Sequence, residues 1–146
     1  MEKMIPRLNI CKNHDDECFA IINNCVHPKL GCSTEYGPLV RLSRQHMEQE
    51  GMAIVLQSLE EYPRRKTTEK SELESLPRAA QDKFDREHMH VSLSLQKGGE
   101  LWLAPMHIGK KGGRISGDMS ETQIVKLPTT PALFFKALTA AFAAAD

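Results

Sequence analysis

Three histidines, at positions 88, 90 and 107, are the residues best placed by type and spacing to do chemistry. His88 and His90 are two positions apart in a run that alternates apolar and polar residues, so they share one face of a predicted strand. If Gly98 and Gly99 form a two-residue turn, His107 lies opposite His90, with Cβ atoms ~5 Å apart. Three imidazoles converging from two strands could bind zinc, iron or nickel and leave a position open for water. The interpretation that we prefer is a solvated sheet face without a cofactor, and the metal site is the alternative.

A basic, glycine-rich stretch follows the histidines and contains Lys110, Lys111 and Arg114. Backbone amides in such a loop could cradle a phosphate group, with the three cations around it. The stretch lacks the Gly-x₄-Gly-Lys-Ser/Thr pattern of a nucleotide-binding P-loop. We therefore favour a flexible connection with solubilising charge, and keep phosphate binding as the alternative.

Four cysteines stand at positions 11, 18, 25 and 32, seven residues apart. The spacing differs from the Cys-x₂₋₄-Cys pairs of small zinc sites. We interpret them as free, buried thiols, and none has the local sequence of a catalytic nucleophile. A serine-histidine-aspartate order, a nucleophile elbow and a paired-carboxylate motif are also lacking.

The element that should position the histidines is a β-hairpin over residues 88 to 108. Met89, Val91, Leu93 and Leu95 alternate with polar residues, which predicts a half-buried strand. The two-residue turn predicts that Leu95 lies opposite Trp102, Leu93 opposite Ala104, Val91 opposite Met106 and Met89 opposite Ile108.

Other segments carry weaker or longer patterns. We expect a strand near residues 4–10, a short helix over 15–25, a long helix ending near residue 62, a mobile polar loop over about 63–75, a short helix over 75–86 and a strand over 121–127. Gly51 could divide the long helix. The last helix, over 132–145, is capped by Thr130 and has Pro131 at its first position. Because it is apolar on nearly all sides, we expect it in the core or in a homodimer interface.

Composition limits the class of protein. A length of 146 residues suggests a single domain, and nineteen basic residues balance nineteen acidic ones, so a general nucleic-acid binder is disfavoured. No apolar run reaches the ~20 residues of a membrane span, and the first residues do not have the pattern of a signal peptide. We therefore expect a cytoplasmic protein. The predicted fold is α+β, a small antiparallel sheet (hairpin 88–108 plus strand 121–127) packed against the long central helix and the C-terminal helix.

Function is predicted at the level of class. The interpretation that we prefer is a non-enzymatic module that binds another protein, such as an inhibitor or an immunity protein that neutralises a bacterial toxin. One alternative is a small metal-dependent hydrolase or oxygenase that uses His88, His90 and His107. The other is a nucleic-acid-associated protein that uses the basic loop and Arg64-Arg65-Lys66.

Overall fold

Two β-hairpins lie side by side and form the centre of an antiparallel sheet. The computed structural model describes residues 5–15, 18–63, 67, 69–109 and 113–146. In this part of the chain the strands are β1 (Arg7–Asn13), β2 (Cys18–Val26), β3 (Ser33–Glu35), β4 (Val40–Ser43), β5 (His88–Gln96), β6 (Glu100–Ile108), β7 (Arg114–Ser116) and β8 (Gln123–Lys126). The sheet order is β3-β2-β1-β5-β6-β7, with β4 also paired to β2 and β8 to β6.

The main core lies between one face of this sheet and two helices, α1 (Arg44–Glu61) and α3 (Pro131–Ala144). Alternate residues of the central strands point into it and are fully buried, among them Ile10, Val91 and Leu93. From α3, Phe134 and Leu138 reach the same cluster. The α+β prediction, with a small antiparallel sheet against a long helix and a C-terminal helix, is confirmed.

The long helix is continuous through Gly51. Ser43 caps its first turn by accepting a hydrogen bond from the amide of His46 at 3.1 Å. Gly51 lies on the buried face, where a Cβ would stand 2.8 Å from the sulfur of Met47. The missing side chain makes room for Met47 against the sheet, so packing offsets the poor helix propensity of glycine. The C-terminal helix follows the predicted pattern: Thr130 Oγ1 accepts from the amide of Leu133 at 3.2 Å.

The predicted register of the hairpin is wrong by one residue. The connection contains three residues, Lys97, Gly98 and Gly99, and both glycines adopt positive φ angles. The cross-strand partners are therefore Leu95 and Leu101, Leu93 and Leu103, Val91 and Pro105. Leu101, Trp102 and Leu103 are consecutive apolar residues, so either face of β6 could have been buried. The observed register buries the two leucines completely and leaves Trp102 partly exposed.

The predicted short helix over residues 15–25 is also wrong, because its described part from Cys18 onwards is strand β2; residues 16 and 17 lie outside the described residues. Phe19 and Ile21 point into the main core, and β2 pairs with β1 on one side and with β3 and β4 on the other. The β-branched pair Ile21-Ile22 suits a strand that is buried on both faces. The expected first strand is present as β1, shifted by about three residues. The predicted strand over 121–127 is confirmed as β8.

The second face of the sheet is covered only in part. Helix α2 (Arg78–Glu87), confirmed near its predicted place, and the segment that precedes it lie over a small apolar cluster. The cluster consists of Cys11, Ala20, Ile22 and Leu39, with Leu73 and Phe84 packed against it. Of the predicted polar loop, the described part holds a fully buried serine, Ser71. No helix in the described ranges is long and apolar enough to cross a membrane.

Candidate functional site

A cleft of about 700 Å³ opens on this second face, between the sheet, helix α2 and the residues just before it. Strand β1 contributes Asn9, strand β3 contributes Glu35, and strand β5 contributes His90. Helix α2 supplies Asp85 from its last turns. Because these elements are far apart in the sequence, the cleft exists only in the folded chain. We name it the acidic cleft, after the four carboxylates in its lining, Glu35, Glu74, Asp82 and Asp85.

A cysteine and a histidine meet on its sheet side. Strand β1 pairs with β5 so that Cys11 lies opposite His90. The sulfur of Cys11 lies 3.2 Å from Nδ1 of His90, and both residues are buried. The ring of Phe84 packs edge-on against the ring of His90, with centroids 6.2 Å apart.

The other ring nitrogen of His90 is turned towards the acidic cleft. Nε2 lies 3.4 Å from Oδ1 of Asp85, but the geometry does not make a hydrogen bond, and no other partner is found in the described chain. Burial lowers the pKa of His90 to about 3, and the positive charge of Arg114 and the neighbouring His88 add to the effect. The ring is therefore neutral at physiological pH, and its short distance to Asp85 is not an ion pair.

Carboxylates converge on the same space. Glu35 is half-buried, and burial raises its pKa, with further contributions from the negative charges of Glu74 and Asp85. Four carboxylates line the cleft against two arginines, Arg78 and Arg114, so its lining is acidic on balance. Such an arrangement costs folding free energy and favours the approach of a cation.

Arg114 supports the cleft. One terminal nitrogen donates to the main-chain oxygens of Asp85 and His88, at 2.7 and 2.9 Å, and the other donates to that of Asp146, at 3.0 Å. The guanidinium thus ties β7 to the C-terminal end of α2, where carbonyls lack helical partners. The predicted phosphate site places Arg114 beside Lys110 and Lys111, but these two lysines lie outside the described residues. The hydrogen bonds described for the Arg114 guanidinium all go to main-chain oxygens.

The structure does not bring the three predicted metal-binding histidines together. Continued past Val91 and Pro105, the observed register puts His107 opposite Met89, on the face opposite to His88 and His90. There His107 Nε2 donates to Glu121 at 2.9 Å, and these hydrogen bonds to Glu121 and Asp146 raise its pKa. His88 stacks on Phe84 at 3.8 Å. Over the described ranges, no group of three histidine, cysteine, aspartate or glutamate side chains is placed to hold a metal ion.

The cysteines agree in part with the prediction. None of the four is in a disulfide bond; Cys11 and Cys25 are buried, and Cys18 and Cys32 are exposed. Burial raises the pKa of the Cys11 thiol far above its ordinary value, and nearby negative charges raise it further. A thiol in that environment stays protonated and inaccessible, so the Cys11–His90 contact is not a nucleophile with its base.

Sequence reasoning named His90 but missed its partners. Cys11 and His90 are 79 positions apart, and only the pairing of β1 with β5 joins them. Glu35 and Glu74 carry no local motif. The one signal was the polar face of β5, where His90, Ser92 and Ser94 alternate with apolar residues.

Comparisons with known proteins identify the fold but not a family. No protein-family model matches the chain, and a search of curated proteins finds no match. Among solved structures, the chain is similar to one described as "Protein of Unknown Function NMB0488 from Neisseria meningitidis". The TM-score is 0.66 and the sequence identity 15%, and the match covers 100% of this chain and 98% of the other. The fold of a protein of unknown function therefore recurs here over its full length.

Proposed function

We propose that this protein is a non-enzymatic, cytoplasmic protein-binding module of the inhibitor type, such as a toxin-immunity protein, and that it binds its partner through the acidic cleft. The observation that carries the proposal is the convergence of Glu35, Glu74 and Asp85 around one cleft on a partly covered sheet face. Carboxylates that lie close together repel one another, and a positively charged group of a partner would relieve that repulsion.

Three further features support the proposal. The side chain best suited to be a nucleophile, Cys11, is fully buried with a raised pKa. Carboxylates outnumber arginines in the lining of the cleft by four to two, which disfavours a nucleic-acid ligand at this site. None of the four cysteines is in a disulfide bond, which agrees with a reducing compartment.

The test is capture of the partner by a matched pair of double variants. In Glu35→Gln with Glu74→Gln, two charges are removed from the cleft. In Glu48→Gln with Glu50→Gln, two charges are removed from the exposed side of α1. Each tagged protein is expressed in its native host, and co-purifying proteins are quantified by mass spectrometry.

We expect one protein to co-purify with the wild type and the α1 variant and to be lost from the cleft variant. If that protein is a toxin, co-expression of the wild type should restore growth and the cleft variant should not. A partner retained equally by both variants would show that the acidic cleft is not the binding surface. Absence of any stoichiometric partner would contradict the function itself.

A further inference from the structure

One buried ring nitrogen lacks a hydrogen-bond partner in the described chain, and it lines the acidic cleft. This atom is Nε2 of His90, whose side chain is only 9% exposed. An unsatisfied polar atom in the interior costs roughly 1–3 kcal/mol. It therefore indicates a ligand that supplies the missing hydrogen bond.

The contact on the other side of the ring allows Nε2 to accept. A thiol can both donate and accept a hydrogen bond, so the Cys11 contact at 3.2 Å is compatible with either neutral tautomer of His90. When Nδ1 carries the proton and donates to the sulfur, Nε2 presents its lone pair to the cleft. A ligand with N–H donors selects this tautomer.

Two arginines line the cleft as well, but Arg78 pairs with Asp82 at 3.3 Å and Arg114 donates to main-chain oxygens, so the remaining carboxylates favour a cationic ligand with several donors. Glu35, Glu74 and Asp85 present acceptors around the cleft in which Nε2 lies. A planar guanidinium has five N–H donors in a fixed fork, so it can serve carboxylates and an imidazole at once. A lysine ammonium has three donors on a compact, strongly hydrated charge and matches this set less well.

We infer that the acidic cleft is a receptor for one arginine side chain of the partner protein, whose guanidinium group binds His90 Nε2 and the carboxylates of Asp85 and Glu35. This inference rests on the proposed function and names the chemistry of the partner. The Cys11 sulfur accepts the proton of Nδ1 in the tautomer that the ligand selects, and it does not touch the ligand.

The test needs no knowledge of the partner, because a capped amino acid reproduces the recognised group. The probe is N-acetyl-arginine N-methylamide, and its controls are the lysine amide and the citrulline amide, which has the same shape without the charge. Ring nitrogens of His90 are followed by long-range ¹H–¹⁵N correlation spectra of the labelled full chain at about pH 7.

We expect the arginine amide to shift the His90 ring nitrogens saturably, with a Kd in the range of about 1 mM, as suits a small ligand. The citrulline amide should bind at least tenfold more weakly, and the lysine amide should fall between them. Asp85→Asn and Glu35→Gln should each weaken the arginine amide about tenfold, which corresponds to ~1.4 kcal/mol. Glu48→Gln on α1 should leave its affinity unchanged. Both cleft substitutions conserve the shape of the side chain, and circular dichroism is the check that each variant folds.

Two results would overturn the inference: equal affinity for the arginine and citrulline amides, or no saturable shift of His90 up to about 50 mM probe. Either result leaves the proposed function intact if the cleft double variant still loses its partner. Conversely, binding of the arginine amide without any protein captured through the cleft would refute the protein-binding function and leave the guanidinium site standing.

Discussion

Acidification should destabilise this protein through His90, and the effect can be isolated. The pKa of His90 is lowered from 6.5 to about 3, chiefly by burial, so the folded chain holds a neutral ring that the unfolded chain protonates. The contribution of His90 to the stability of the folded state is fully present above pH 6.5. It is lost as the pH falls towards 3, because the unfolded state binds one proton more than the folded state.

The magnitude follows from the two pKa values. At pH 4.5 the unfolded histidine is two pH units below its ordinary pKa, while the folded ring is still neutral. Each unit is worth 1.36 kcal/mol, so His90 alone should remove about 3 kcal/mol between pH 7.5 and pH 4.5. That is a large share of the ~5–15 kcal/mol that stabilises a domain.

Urea denaturation at several pH values measures this loss, with His90→Gln as the reference. Glutamine keeps a polar group near the position of Nε2 and cannot take up a proton in this range. Because the pKa values of Glu35 and His107 are raised, these two residues stabilise the folded protein further as the pH falls. They do so equally in the wild type and in the variant. The difference between wild type and variant therefore isolates His90.

The reasoning would be refuted if both proteins lost the same free energy between pH 7.5 and 4.5. It would also be refuted if the His90 ring nitrogens titrated near pH 6.5 in the folded protein. Either outcome would mean that the ring is hydrated and that the cleft is open enough to solvate its charge.

Further predictions test other parts of the structure. Brief treatment of the native protein with iodoacetamide should label two cysteines, Cys18 and Cys32, as intact-mass and peptide analysis would show; labelling of all four would contradict the buried thiols. Leu138→Ala should cost about 3 kcal/mol in urea denaturation, because it opens a cavity in the main core; a loss under 1 kcal/mol would contradict the packing of α3. A homodimer through the C-terminal helix remains a prediction, and Leu133, which is 57% exposed, would lie in its interface. Leu133→Glu should therefore convert a dimer to a monomer in sedimentation velocity. A monomeric wild type would contradict the homodimer. His107→Asn should lower the free energy of unfolding below pH 6.5 and much less at about pH 9. The carboxylate partners of His107 raise its pKa, so the stabilisation from its charged form disappears once the pH exceeds that pKa. An equal loss of unfolding free energy at both pH values would exclude the charged contact.

Local patterns in the sequence were enough for several elements. Thr130 and Pro131 predict where α3 begins. The apolar residues of that helix predict a place in the core, which holds for the face with Phe134 and Leu138 and not for the side with Leu133, which is 57% exposed. The alternation of Met89, Val91 and Leu93 identifies the core face of β5 correctly. These predictions succeed because capping and side-chain periodicity depend on neighbours within one or two turns of chain.

Tertiary structure decided the register of the hairpin and the secondary structure of residues 18–26. Leu101, Trp102 and Leu103 offer an apolar residue to either face, so the packing of the two leucines against the main core selected a three-residue connection. Residues 18–26 became a strand because β1 and β4 supply hydrogen-bonding edges on both sides, which no local pattern in the segment reveals.

The candidate site belongs entirely to this second category. The sequence alone determined that His90 stands on the polar face of a strand. That its ring is buried against Cys11, lacks a partner at Nε2 and shares a cleft with Asp85 and Glu35 depends on strand pairing across 79 positions and on the docking of α2. Hydrogen-bond satisfaction and the solvation of charge are set by atoms that arrive from distant segments, so they exist only after the chain has folded.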